Sequence, residues 1–119
     1  MREARVVVMS PAGTRLRVLR AERFIDRLRG LLGRESLTGR YGLWISPCSA
    51  VHTFGMRGPV DLVFVDRQGR ILRVDSGVRP WRMRRCGGSH GVLEMAAGSA
   101  ARLGLDRPAV RLAWQETPQ

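Results

Sequence analysis

The sequence predicts an α+β fold built mostly from antiparallel strands, as a barrel-like or strongly curved sheet. One longer helix is expected over about 21–32 and one short helix over about 99–103. Three observations carry this prediction. Short β-forming runs recur along the chain, each closed by Gly, Pro, Ser or Asp. One stretch alone has a strong 3.6-residue apolar period. No linker or internal repeat divides the 119 residues, so the chain is read as a single domain, 1–119, near the commonest domain size.

Val6 to Met9 reads as a first strand, stopped by the turn residues Ser10-Pro11-Ala12-Gly13. Arg15 to Leu19 alternates charge with aliphatic side chains, as a half-exposed partner strand would. From Glu22 the period changes. Phe24, Ile25, Leu28, Leu31 and Leu32 share one helical face, and Arg23, Asp26, Arg27 and Arg29 surround it. Acidic residues lie early and Arg29 and Arg34 late, as the helix dipole prefers, and Gly33 is a stop. Gly30 within the stripe costs about 1 kcal/mol relative to alanine and so points to close packing on the sheet.

A loop over 35–42 leads to a strand at Gly42–Ile45, broken by Pro47. Val51 to Met56 and Val60 to Asp66 read as two further strands about the turn Arg57-Gly58-Pro59. Arg67-Gln68-Gly69 connects as a hairpin into Ile71–Val74. Val78 to Arg84 is extended but poorly patterned, and Gly87-Gly88-Ser89 is a break. Gly91 to Met95 is a strand, Ser99 is a candidate N-cap for the short helix, and Gly104 is its stop. Ala109 to Trp114 is the last strand.

The charge is unusual. All 21 basic residues are arginine, against 10 acidic residues, for a formal net charge of +11. That balance favours anionic partners such as nucleic acid, an acidic protein or a small anion. The arginines are scattered along the chain, which is equally what a coding bias against lysine and asparagine produces. The opening MREARVVVMSPAG lacks the apolar run of a secretory signal, and no stretch approaches the ~18 apolar residues of a membrane span. The expectation is a cytoplasmic protein with no membrane span. Two cysteines are too few for a disulfide scaffold.

Cys48 and His52, and again Cys86 and His90, are separated by three residues. Two thiolates and two imidazoles would complete a tetrahedral zinc shell. An extended chain, however, puts positions four apart roughly 13 Å from each other. These four are weak metal candidates, and no metal or other cofactor is assigned. Cys48 and Cys86 as small buried hydrophobes, with each histidine hydrogen-bonded to backbone, is the stronger explanation. Cys48 with His52 or His90, assisted by Asp61, could also act as a thiol nucleophile. Neither a nucleophile elbow nor a phosphate-binding loop accompanies them.

Asp61 interrupts the apolar run Val60 to Val65. A carboxylate there must reach solvent or a partner, and Arg57 or an arginine of the 79–85 segment is the expected mate. His52, Phe54 and Met56 would share one strand face, with Trp81 opposite. Such a face is either core or the lining of a pocket. His52, Phe54, Met56, Arg57, Asp61 and Trp81 are therefore the candidate ligand-binding residues, and none is assigned a catalytic role.

Three segments carry a family resemblance: GLLGRESL (Gly30 to Leu37), HTFGMRGPVDLVFVDRQGRIL (His52 to Leu72) and VLEMAAGSAARLGL (Val92 to Leu105). Together they resemble the DUF192 family, whose members typically read G-L-M-x-R-x-x-L, F-W-M-x-N-T-x-x-P-L-D-I-x-F-I-D-x-x-G and V-L-E-x-x-A-G. Phe54, Met56, Pro59, Asp61, Phe64, Asp66 and Gly69 match the central motif. The resemblance implies a compact β-rich domain and brings no activity, cofactor or catalytic set. Gly55 stands where the family has Trp, and Arg57-Gly58 where it has Asn-Thr. If those residues wall a pocket elsewhere in the family, the pocket here is more open and more cationic.

The function expected is a non-enzymatic binding or accessory module with a small cationic cleft for an anionic small ligand or acidic peptide. One alternative is a small metal- or thiol-dependent enzyme using Cys48, His52 and Asp61. The other is nucleic-acid binding through the arginines.

Overall fold

The computed structural model describes residues 2–9, 15–21, 41–53, 56, 58–106 and 111–115. In chain order the described elements are β1 Arg2–Met9, β2 Arg15–Ala21, β3 Tyr41–Ile45, β4 Ala50–His52, β5 Val60–Val65, β6 Ile71–Val78, β7 Met83–Arg85, β8 Gly91–Ala96, α1 Ser99–Arg102 and β9 Arg111–Gln115. Seven strands form one sheet in the order β6-β5-β8-β3-β2-β1-β9, and β4 pairs with β7 apart from it. Every described pairing is antiparallel except β2 with β3.

The sheet is not closed into a barrel, which corrects the barrel-like half of the sequence expectation. Its ends are β6 and β9, and no ladder joins them. Two register irregularities interrupt the β5–β6 pairing, and Arg73 and Asp75 put charge on β6, features that blunt an edge against pairing. The far edge comes back only as far as the β5–β6 turn, where the Leu112 amide of β9 donates to the Gly69 carbonyl at 2.8 Å. At that contact a Cβ on Gly69 would collide with the Leu112 carbonyl, and φ of +82° there suits glycine alone.

The core has two layers because β5, β8 and β3 are covered on both faces. Val63, Val65, Leu93, Met95 and Trp44 point one way, onto Ala100 and Leu105 around α1 and Leu112 of β9. Leu43, Ile45, Val60, Leu62, Phe64 and Val92 point the other way, onto Val51, Met56 and Val78. All six residues of β5 are buried, which is why five of them are apolar without alternation and Asp61 alone breaks the run.

Several boundaries differ from expectation. Ala21, placed at the start of the longer helix, is the last residue of β2, and the rest of that predicted helix lies outside the described residues. β6 runs on to Val78, and the strand predicted over 51–56 ends at His52. The short helix is found at Ser99–Arg102, but Gly98 is its N-cap residue and Ser99 is the first helical position. Gly104, at φ of +73°, ends it as expected. Among the described residues no helix is long and apolar enough to cross a membrane.

Candidate functional site

Thr53 follows directly on the end of β4, and this residue organises the surface beside it. Thr53 is 1% exposed. Its amide donates to the Arg82 carbonyl at 2.8 Å, and its carbonyl accepts from the Trp81 amide at 3.0 Å and the Met56 amide at 3.3 Å. Its hydroxyl donates to the Arg79 carbonyl at 2.7 Å and accepts from the Arg82 amide at 2.9 Å. One buried side chain thereby fixes the backbone from Arg79 to Arg82. Its only signal at the level of sequence is a hydroxyl inside a run that reads as strand.

The segment held in this way is Arg79-Pro80-Trp81-Arg82-Met83-Arg84-Arg85. Trp81 has φ of +65°, an outlier for a bulky residue, and is 66% exposed. Met83 is 65% exposed. In β7, Met83 and Arg85 face outward while Arg84 is half-buried, as a period of two dictates. Inward of this segment, against the end of β6, lies an open hollow of about 560 Å³, lined by Asp75, Ser76, Gly77, Arg79, Arg82 and Arg84 together with Val74 and Val78.

Only one acid lines that hollow, and it is engaged. Arg73 Nε donates to Asp75 Oδ1 at 2.8 Å, Arg73 Nη2 donates to Oδ2 at 3.1 Å, and Arg84 Nε lies 3.8 Å from Oδ2. Arg73 also donates to the Arg85 carbonyl at 2.6 Å and stands 4.9 Å from the centre of the buried Phe64 ring. It acts as a strut between β6 and β7, with its own charge already matched.

Of the predicted site residues, the described ones (His52, Met56, Asp61 and Trp81) line neither this hollow nor the second one described below. Met56 is 7% exposed and belongs to the core layer beneath β4. His52 is half-buried and pairs across the small sheet with Met83. Trp81 lies near them through its bond to Thr53, facing solvent and not opposing them. Phe54 and Arg57 lie outside the described residues.

Asp61 is 1% exposed and lines neither described hollow. The expected guanidinium mate is not found among the described residues. Its Oδ1 accepts the Gly77 amide and its Oδ2 the Ala100 amide, each at 2.9 Å. The carboxylate is satisfied by backbone donors, including one at the open end of α1, where negative charge is favoured.

The two cysteines lie in adjacent loops, with the Cys48 amide bonded to the His90 carbonyl at 2.8 Å and the Cys86 amide to the Ser49 carbonyl at 2.9 Å. Neither is in a disulfide, and both are half-buried against the core layer beneath β4. The Cys48 thiol donates to the Ala50 carbonyl at 3.2 Å. Among the described residues no three of His, Cys, Asp or Glu are grouped as a metal shell. A second open hollow, of about 710 Å³, lies between Cys48, His90 and the 66–68 turn. Asp61 is on the other face of β5 from the layer that Cys48 packs against, so the thiol and this carboxylate are not brought together.

A family model described as DUF192, Uncharacterized ACR, matches residues 7–110. No curated protein matches the chain. Two solved structures are similar to it. One, from Sinorhizobium meliloti 1021 and described as a "putative transcription regulator", is 23% identical with a TM-score of 0.79, over 95% of this chain and 94% of that one. The other, a protein of unknown function from Novosphingobium aromaticivorans DSM 12444, is 24% identical with a TM-score of 0.76, over 92% of this chain and 84% of that one. At these identities the likeness is one of fold.

Proposed function

The chain belongs to the DUF192 family, and from that premise we propose that it is a non-enzymatic binding module whose hollow beside the 79–85 segment takes an anionic group. The observation that carries the reading is the charge imbalance of the hollow. Arg79, Arg82 and Arg84 line it, and its single carboxylate, on Asp75, is already paired with Arg73 and lies within 3.8 Å of Arg84. Guanidinium groups present planar, forked donors that suit carboxylate and phosphate oxygens. The net charge of +11 adds long-range attraction for any anion approaching this face.

The hollow is open to water, so binding is expected to be modest and salt-sensitive. Isothermal titration with pyrophosphate and with citrate at low ionic strength tests the reading. Saturable binding, weakened several-fold when Arg79 and Arg82 are both replaced by alanine, supports it. Absence of heat with both anions at millimolar concentration overturns it. The enzyme alternative has no comparable support, because Cys48 and Asp61 are held on different core layers and both oxygens of Asp61 accept backbone amides.

A further inference from the structure

We propose that Cys48 and Cys86 are a redox-sensitive pair, closed by peroxide into a disulfide that fastens the far end of β7 to the entry of β4. The inference stands apart from the anion-binding reading. β4 and β7 pair Ala50 with Arg85, and the bond from the Cys86 amide to the Ser49 carbonyl extends that register by one rung, to Ser49 and Cys86. A hydrogen-bonded rung sets its Cα atoms about 5.5 Å apart, and Cys48 is the next residue beyond Ser49. The two cysteines are therefore diagonal neighbours across antiparallel chains. Their Cα atoms lie roughly 6 Å apart by this geometry, inside the span of ~4.4–6.8 Å that a disulfide accepts.

Two further observations bring the side chains to the same place. The turn over 86–89 closes on Cys48. The Ser89 amide donates to the Cys86 carbonyl at 3.2 Å, the Ser89 hydroxyl to the Cys48 carbonyl at 2.9 Å, and the Cys48 amide to the His90 carbonyl at 2.8 Å. Cys48 and Cys86 are also each half-buried between exposed neighbours, Pro47 and Ser49 on one chain and Arg85 and Gly87 on the other. Both side chains turn inward, and both pack against the apolar layer beneath β4. The bonds that the thiols donate, to the Ala50 carbonyl at 3.2 Å and the Gly87 carbonyl at 3.8 Å, are of the weak S–H kind and are given up when the protons leave.

Cys48 is the sulfur an oxidant reaches first, because it lines the hollow of about 710 Å³ and Cys86 does not. Its sulfur attacks one oxygen of hydrogen peroxide, the O–O bond breaks, and water leaves with a sulfenic acid formed on Cys48. The Cys86 sulfur then attacks the Cys48 sulfur, the S–O bond breaks, and the hydroxyl departs with the thiol proton as a second water. Two thiols lose two electrons in total, and one peroxide becomes two waters. A metal centre fits the pair less well, since no third His, Cys, Asp or Glu joins them among the described residues.

Peptide mapping of the full chain after treatment with hydrogen peroxide tests this. Trypsin should release segments 41–57 and 86–102 joined, two hydrogens lighter than their sum, from protein that remains monomeric. Dithiothreitol should separate them. Oxidation should raise the Tm by at least ~5 °C, as closing a long loop does, and Cys86→Ser should lose both the link and the shift. In that variant dimedone should capture Cys48 as the sulfenic acid. Closure should be at least ~10-fold faster in the folded protein than in concentrated urea. Equal rates would mean that the fold does not position the pair, and would overturn the proposal. So would disulfides formed only between chains, or sulfinic acid on Cys48 with Cys86 untouched. A Tm lowered by oxidation would overturn it too, since the fold would then have to distort to close the bond.

Discussion

The Asp61 carboxylate accepts the Ala100 amide at 2.9 Å across 39 positions of sequence, capping α1 from a different element. The helix cannot cap itself, since its N-cap residue is Gly98 and no side chain there bonds back. The other Asp61 oxygen takes the Gly77 amide near the end of β6. One buried acid therefore ties β5 to both β6 and α1.

Asp61→Ala should destabilise the protein by about 3 kcal/mol, since it strands two donors of which one is fully buried. Asp61→Asn keeps the volume but offers one oxygen and turns an amide toward the second donor, so a loss of about 2 kcal/mol is expected. Urea unfolding measures both. A loss below ~0.5 kcal/mol for Asp61→Ala would show that the cap contributes nothing to stability.

Thr53→Val preserves shape and removes the hydroxyl that serves Arg79 and Arg82. A loss of about 2 kcal/mol is expected, because the Arg79 carbonyl and Arg82 amide lose a partner. Thr53→Ser, which retains the hydroxyl, should stay within about 1 kcal/mol of wild type. Hydrogen exchange is the local readout, with the Arg82 amide exchanging faster in Thr53→Val than in Thr53→Ser.

Much of the sheet was legible in the sequence because its signals are local. Val60 to Asp66 reads as a strand from its β-forming composition, and the Arg67-Gln68-Gly69 turn and the Gly104 stop follow from backbone preference. The site was legible only in part. Asp61 stood out as a charge in an apolar run, but sequence reasoning sought a charged mate, and backbone amides 16 and 39 positions away leave no trace in side-chain identity. The face expected from His52 to Met56 failed for a related reason. Thr53 is a good strand former, and nothing in its local pattern shows that its hydroxyl is bound to a segment some 26 residues later. The arginine density of 79–85 was visible, whereas the hollow it lines exists only once Thr53 has folded that segment back.

Gly91 lies beneath the Trp44 indole, where a Cβ would enter the ring. Gly91→Ala should cost about 1–3 kcal/mol through overpacking. In a Trp44→Leu background the penalty should shrink, giving a coupling energy of at least ~0.5 kcal/mol in a double-mutant cycle. Thermal unfolding of the four proteins measures it, and strict additivity would mean the strain is absorbed by some other neighbour.

Trp81→Gly tests how the strained backbone at this position weighs on stability. Glycine relieves the left-handed backbone, worth about 1–2 kcal/mol, while its own flexibility returns roughly 0.5–1 kcal/mol to the unfolded state. The side chain surrenders little burial, being 66% exposed. Urea unfolding should therefore give a stability within about 1 kcal/mol of wild type. A tryptophan kept at this position for the fold would behave differently, with a loss above ~2 kcal/mol of the kind core aromatics show. That result would show that the indole contributes to the fold beyond what its exposed surface suggests. A neutral outcome shows that the relief of the left-handed backbone offsets whatever the indole contributes.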